Sequence, residues 1–350
     1  MGMRDRQIAS SASTAQRVLD PTSQIKVAYV EPEGLHGWLA ASGTFPLGIV
    51  SFGAPMPMSF SCPVIDVGLP LLEGPNRCEV WSCDQPVRFH RDEEITAAFA
   101  GDLLFGSITA YEDTGAGLDR ITEKAYRQLL RLLQDSGFRH LWRVWNYFPR
   151  INGEERGLER YRLFSMGRYQ ALAETLPGFP GSLPAGTAVG TQQGPLQVYF
   201  LAGTHPPIHL GNPRQVNAYD YPIIYGPRSP SFARATLSRS ESATQLFISG
   251  TASVVGHQSQ HVGLADLQAL ETVTNLRALI DRAHFANPSL EPDAKRHSVF
   301  KVYVRNPKHL GTVRRVLQAP FLLSGDILFL QGDLCRRELL VEIEGLVTAD

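Results

Sequence analysis

Hydrophobic positions along the 350-residue chain fall into two series with the same order: strand, long amphipathic helix, strand ending at a proline, second helix, final hydrophobic strand. In the first series Leu103–Ile108 predicts a strand, a helix follows through Leu133, Trp142–Phe148 predicts a strand stopped at Pro149, and Leu196–Leu201 is the last strand. In the second, Leu246–Gly250 is followed by a helix through Ile280, a strand over Val299–Val304, Pro307, and a closing strand over Glu338–Glu344. The first long helix sets Ile121, Ala125, Leu129 and Leu132 on one face, with Gly137 placed as its C-terminal stop. The second sets Ala269, Val273, Leu276, Ile280 and Ala283 on an apolar face and leaves Asp266, Gln268, Glu271 and Asn275 on a polar one.

Ahead of the first series, Ile25–Val30 and Leu47–Ser51 read as strands, and Pro63–Pro86 is a Pro- and Gly-rich region with short strand candidates. Glu174–Gly194 reads as turn chemistry, and the irregular GTHPPIHLGNP after Ala202 places a domain boundary near Gly203. The pattern predicts an α+β protein of two tandem domains, residues 25–203 and 204–350, each a mixed sheet with helices packed on one face, behind a polar tail over residues 1–24.

Composition narrows the chemistry. A hydrophobic content of 43% suffices for two ordinary cores. With 33 basic and 34 acidic residues, a net charge of -1 provides no general attraction to nucleic acid or an acidic membrane. Cys62, Cys78, Cys83 and Cys335 are too sparse for a disulfide scaffold or zinc site, and no apolar run is long enough to cross a bilayer, so a cytoplasmic protein is expected. His205 and His209, and His257 and His261, are spaced four apart, but proline breaks the first pair's helix and neither has a metalloprotease glutamate; no metal is expected. Ser249 has no evident base, which argues against a nucleophilic serine.

Three ordered landmarks, YGPRSPSFARA at 225–235, LFISGTAS at 246–253 and LLVEIEGLV at 339–347, resemble the RidA/YjgF superfamily. Together with WNYFPRING at 145–153 and RYRLFSMGRYQAL at 160–172, residues 25–350 more closely resemble the chorismatases, which are built on that fold. The resemblance implies two RidA/YjgF-like (chorismate-mutase-like) domains and a substrate, chorismate, that carries two carboxylates. Guanidinium forks suit carboxylates best. Arg160, Arg162 and Arg168, and Arg228 and Arg234 in the 225–235 turn, are the candidate clamps, with Tyr161, Tyr219 and Tyr225 as neutral donors.

Strand alternation puts Leu340, Glu342 and Glu344 on one face and Leu339, Val341 and Ile343 on the other, under the helices. In the RidA fold the first face lines the cleft, so Glu342 is the expected acid, with Glu338 and Glu344 expected to face water. The matching strand of the first series, with Gln197, Tyr199 and Leu201, has no carboxylate, so one site per chain is expected. A glutamate in a partly apolar cleft keeps its proton near neutral pH, which suits protonation of an enol ether.

Within the resemblance, a glycine at Gly250 and a cysteine at Cys335 mark the branch forming 3-hydroxybenzoate and pyruvate; hydrolysis to a dihydroxycyclohexadiene carboxylate, or a RidA-type enamine or imine deaminase, are the alternatives. A noncatalytic metabolite-binding protein is a further one. No organic cofactor, nucleic acid or membrane partner is expected, and a chain that already supplies two modules can work as a monomer.

Overall fold

The computed structural model describes residues 23–112, 115–240, 243–287, 296–318 and 325–349. The polar tail expected at the N-terminus lies, up to residue 22, outside the described residues. The first sheet takes β1 (Ile25–Val30), β2 (Phe45–Ser51), β3 (Val64–Asp66) and β4 (Cys78–Cys83) in the order β1-β4-β2-β3, with α1 (Leu35–Ser42) between β1 and β2.

The two series of the sequence become two sheets of identical topology. The first repeat comprises β5 (Arg88–Arg91), β6 (Ile95–Ala100), β7 (Leu103–Ala110), α2 (Leu118–Ser136), β8 (His140–Pro149), α3 (Arg160–Thr175), β9 (Ala185–Thr191) and β10 (Leu196–Gly203). Its sheet order is β5-β6-β7-β10-β8-β9. The second comprises β11 (Ile208–Leu210), β12 (Ala235–Arg239), β13 (Thr244–Ala252), α4 (Ala265–Ala286), β14 (Arg296–Val304), α5 (Leu310–Leu317), β15 (Asp326–Gln331) and β16 (Val341–Ala349), in the order β11-β12-β13-β16-β14-β15. In both, one pair is parallel, β8 with β9 and β14 with β15, and the intervening helix supplies the crossover that a parallel pair requires.

The predicted helix faces are buried as the periodicity requires: Ile121, Ala125 and Leu129 on α2, which stops at Gly137 with φ 82°, and Ala269, Val273 and Leu276 on α4. One core sits between each repeat's sheet and its helices, and a third lies where the opposite faces meet the N-terminal sheet, joining Trp81, Phe105, Trp145, Tyr199, Phe247 and Tyr303. At this junction Trp145 stacks on Tyr199 with centroids 4.6 Å apart. Among the described residues, no helix is long and apolar enough to cross a membrane.

One expectation is corrected here. Residues 185–191, expected as turn, form β9, whose small residues are needed for close packing: a Cβ on Gly190 would stand 2.4 Å from Ile151 Cγ2. On the polar face of α4, Gln268 and Asn275 are fully buried. Gln268 accepts from Leu340 N and donates to Glu338 O, while Asn275 donates to the carbonyls of Ala252 and Val254. These amides complete backbone groups at the strand ends that would otherwise be buried unpaired.

Candidate active site

The site grows from an irregularity in β13. Residues Thr244–Ile248 pair in register with β16, but the register shifts between Ile248 and Thr251, leaving a bulge at Ser249 and Gly250 opposite Glu344, while Glu342 pairs with Ala252 just beyond it. The outer edge of β9 docks on β12 and on this bulge through side-chain hydroxyls, with isolated backbone bridges at Ala185 and Gly190 rather than a continuous ladder. Ala185 N donates to Thr236 Oγ1 at 2.8 Å, Gly186 N to Ser249 Oγ at 2.9 Å, and Gly250 N to Thr187 Oγ1 at 2.9 Å. Ser249 Oγ in turn donates to Ala233 O at 2.6 Å, so its hydroxyl is committed to structure.

Between the repeats lies a cavity of about 560 Å³, lined by Tyr161 and Arg162 from the first repeat and by Tyr225, Gly250, Cys335 and Glu342 from the second. Glu342 is 4% exposed. Burial first, then repulsion from Glu344, raise its pKa from 4.5 to about 8, against the pull of Arg143, Arg305 and Arg234. Gly250 is needed for this carboxyl to sit where it does, since a Cβ there would stand 2.1 Å from Glu342 Oε1. Burial pushes the Cys335 thiol up to about 12, so it faces the cavity as S–H rather than thiolate.

Glu344, expected to face water, is instead 1% exposed at the three-sheet junction, because β16 is an interior strand whose second glutamate points to the same face as Glu342 but one step deeper. Its carboxylate accepts from Arg143 and Thr187, from Lys301 Nζ at 2.8 Å and from Tyr303 OH at 2.8 Å. Burial alone would raise its pKa; Lys301 and Arg143 outweigh that and hold it below the ordinary carboxylate value. Lys301 also reaches Glu79 of the N-terminal sheet at 2.9 Å. Two acids on one strand face are thereby driven apart, one ionised and the other protonated. Glu338, also expected in water, is half-buried at the cavity wall, where it accepts from Ser259 Oγ at 2.7 Å.

The expected clamps divide. Arg162 lines the cavity and reaches Ile224 O at 3.4 Å, and Tyr225 donates to His257 O at 2.7 Å. Arg168 stands outside the cavity lining, 2% exposed between Phe164 and Phe232; its Nε and Nη2 find no hydrogen-bond partner among the described residues. Arg228 is held by its turn, but against the Tyr169 ring at 4.5 Å and exposed, away from the cavity lining. Tyr219 packs on the first repeat's helix-side core, also outside that lining. Arg160 is neither a solvated face nor a clamp: at 1% exposure it pairs with Glu112 and Glu155.

Sequence reasoning missed Arg336 and Arg305. Arg336 lines the cavity beside the Tyr225 ring, 4.1 Å from its centroid, and is anchored by His257 O and Ser259 Oγ; its adjacency to Cys335 was the available signal. Arg305 fixes the loop before β16 by donating to the carbonyls of Leu334, Arg336 and Leu339. Arg234, also expected as a clamp, is the arginine of that turn that lines the cavity, and it donates to Tyr221 OH at 2.8 Å. A protonated carboxyl facing several guanidinium groups can bind an anionic molecule and protonate it.

The chain matches the family model for the N-terminal part of FkbO/Hyg5-like chorismatases over residues 79–202. It is 35% identical over 318 residues to a 3-hydroxybenzoate synthase of Streptomyces hygroscopicus, covering 86% of this chain and 91% of that protein. A chorismatase of the same organism is 36% identical over 77% of this chain and 78% of its own length. A chorismatase crystal structure superposes with a TM-score of 0.80 at 31% identity, over 94% of this chain and 99% of the other. Since sequence and fold agree over nearly the whole length, across both repeats and the cavity between them, the chain belongs to the chorismatase family.

Proposed function

We propose that the protein converts chorismate to 3-hydroxybenzoate and pyruvate, with Glu342 as the proton donor. The observation that carries this reading is a buried carboxyl that keeps its proton near neutral pH, in a cavity shared with Arg162, Arg234 and Arg336. Glu342 protonates the enolpyruvyl methylene, which creates an oxocarbenium centre; the C3–O bond then breaks as the neighbouring C4 hydroxyl, giving up its proton, closes on C3, so the side chain leaves as pyruvate with the ether oxygen, and opening of that bridge at C4, with reprotonation of its oxygen and loss of the C3 proton, leaves an aromatic ring hydroxylated at C3. The two products together contain all the atoms of chorismate, so no water is consumed. Hydrolysis to the dihydrodiol would add one. Cys335, as a protonated thiol, assists proton movement at the ring, and the 3-hydroxybenzoate synthase among the relatives supports the aromatic product.

In this reading Tyr161, Tyr225 and the cavity arginines hold the carboxylates and hydroxyl, Arg168 supports the wall from behind through Phe232, and Arg228 and Tyr219 take no part in binding. The unit over residues 25–203 lends a wall and the unit over 204–350 bears the acid, so a single chain is competent.

The test is to incubate purified protein with chorismate, follow pyruvate and identify the ring product. Pyruvate with 3-hydroxybenzoate is expected; no pyruvate overturns the reading, and pyruvate with a nonaromatic product overturns only the branch. Gly250→Ala is expected to lower kcat by on the order of 10²-fold, because the new methyl displaces the acid from its present position. Steady-state kinetics at saturating chorismate, alongside a melting curve, check this.

A further inference from the structure

Thr187 stands on β9, the strand of the first repeat whose outer edge docks on the β13 bulge, and is 2% exposed. Its hydroxyl accepts from Arg143 Nη2 at 2.6 Å and from Gly250 N at 2.9 Å, and donates to the Glu344 carboxylate. One proton and two lone pairs are all that a hydroxyl has, so its capacity is fully used. Thr187 Cγ2 lies 3.4 Å, and Glu342 Oε1 2.1 Å, from the point a Cβ on Gly250 would occupy. One side chain therefore touches both the strand segment beneath Glu342 and the ion pair beside it.

We propose that Thr187 is a positioning residue for the catalytic acid, lent by the first repeat: its hydroxyl ties the Ser249–Gly250 bulge to the Arg143–Glu344 pair and so aims the Glu342 carboxyl into the cavity. The inference rests on the proposed function and extends it to a residue that does not touch substrate. A purely structural role, fastening one repeat to the other, makes a different prediction. The contacts of Ala185 N to Thr236 and Gly186 N to Ser249 do not use Thr187 and would keep the strand docked in its absence. Loss of the hydroxyl would then cost stability alone. A positioning role instead lowers the chemical step, since small displacements of reacting groups cost rate steeply.

The experiment compares Thr187→Val, which keeps the shape and removes the hydroxyl, with Thr187→Ser, which keeps the hydroxyl, by kcat and KM for pyruvate release and by melting midpoint. Thr187→Val is expected to lower kcat by about tenfold or more with KM within about threefold, and Thr187→Ser to restore kcat to within about threefold of the unaltered protein. Equal kcat for Thr187→Val and the unaltered protein, or a loss in Thr187→Ser as deep as in Thr187→Val, overturns the inference. Should Thr187→Val not fold, the ratio of Thr187→Ser to Thr187→Ala isolates the hydroxyl, and a ratio near unity overturns it. An unaltered protein that releases no pyruvate overturns the proposed function and this inference with it, whereas an active one with insensitive variants overturns this inference alone.

Discussion

Glu342→Gln is expected to lower pyruvate release from chorismate by on the order of 10²–10⁴-fold, the range that a positioned general acid contributes. The amide keeps the shape of the carboxyl but has no acidic proton to give. The fold should survive, because the native group is already held mainly in its neutral form by burial and by Glu344. The sign of the pH dependence follows. Glu342 binds its proton more tightly folded than unfolded, so its contribution to stability is full below about pH 4.5 and is lost as the pH rises through about 8. Denaturant titrations should therefore show Glu342→Gln gaining on the unaltered protein as the pH rises across that window. Activity runs in the same direction: kcat/KM should fall on the alkaline side of about pH 8, where the acid has lost its proton. A Glu342→Gln protein with undiminished turnover, or a profile flat through this region, would reject Glu342 as donor.

Lys301→Met is expected to destabilise the fold by ~3–5 kcal/mol, the cost of breaking a buried ion pair from one side. Lys301 is 3% exposed and lies between Glu344 and Glu79, and it donates to Tyr199 OH at 3.0 Å. Methionine fills much the same volume and leaves two buried carboxylates short of a counter-charge, so the loss is electrostatic rather than a cavity. The two carboxylates come from different sheets, which makes the lysine a link between the N-terminal sheet and the second repeat. Adding Glu79→Gln to Lys301→Met should recover part of the loss, and a double-mutant cycle by urea denaturation measures the coupling. Strict additivity would mean that the pair contributes nothing to cohesion.

Much of the architecture was legible because it depends on local periodicity. The face of α2 with Ile121, Ala125 and Leu129, its stop at Gly137, and the alternation that separates Glu342 from Val341 and Ile343 all follow from how a helix or strand presents consecutive residues. β9 was not legible, since Ala185, Gly186, Ala188 and Gly190 carry little strand preference; they suit a strand only where another chain segment comes close. The burial of Gln268 and Asn275 could not be read for a related reason. A polar side chain on a helix signals that it needs a partner, without saying whether the partner is water or a buried carbonyl.

Glu344 marks the same boundary at the site. Alternation set it on one face with Glu342, but its partner Arg143 lies 201 residues away, and only the docking of two sheets brings them together. The duplicated α+β frame and the strand face that carries Glu342 could be read from the chain because both are set by spacing within a few residues. The burial and ionisation of Glu344, the tie that Thr187 makes from the first repeat to the floor of the second, and the presence of Arg336 rather than Arg228 on the cavity wall arise only from the docking of the sheets. Those outcomes depend on desolvation and charge balance among residues far apart in the chain, quantities that exist only once the sheets have met.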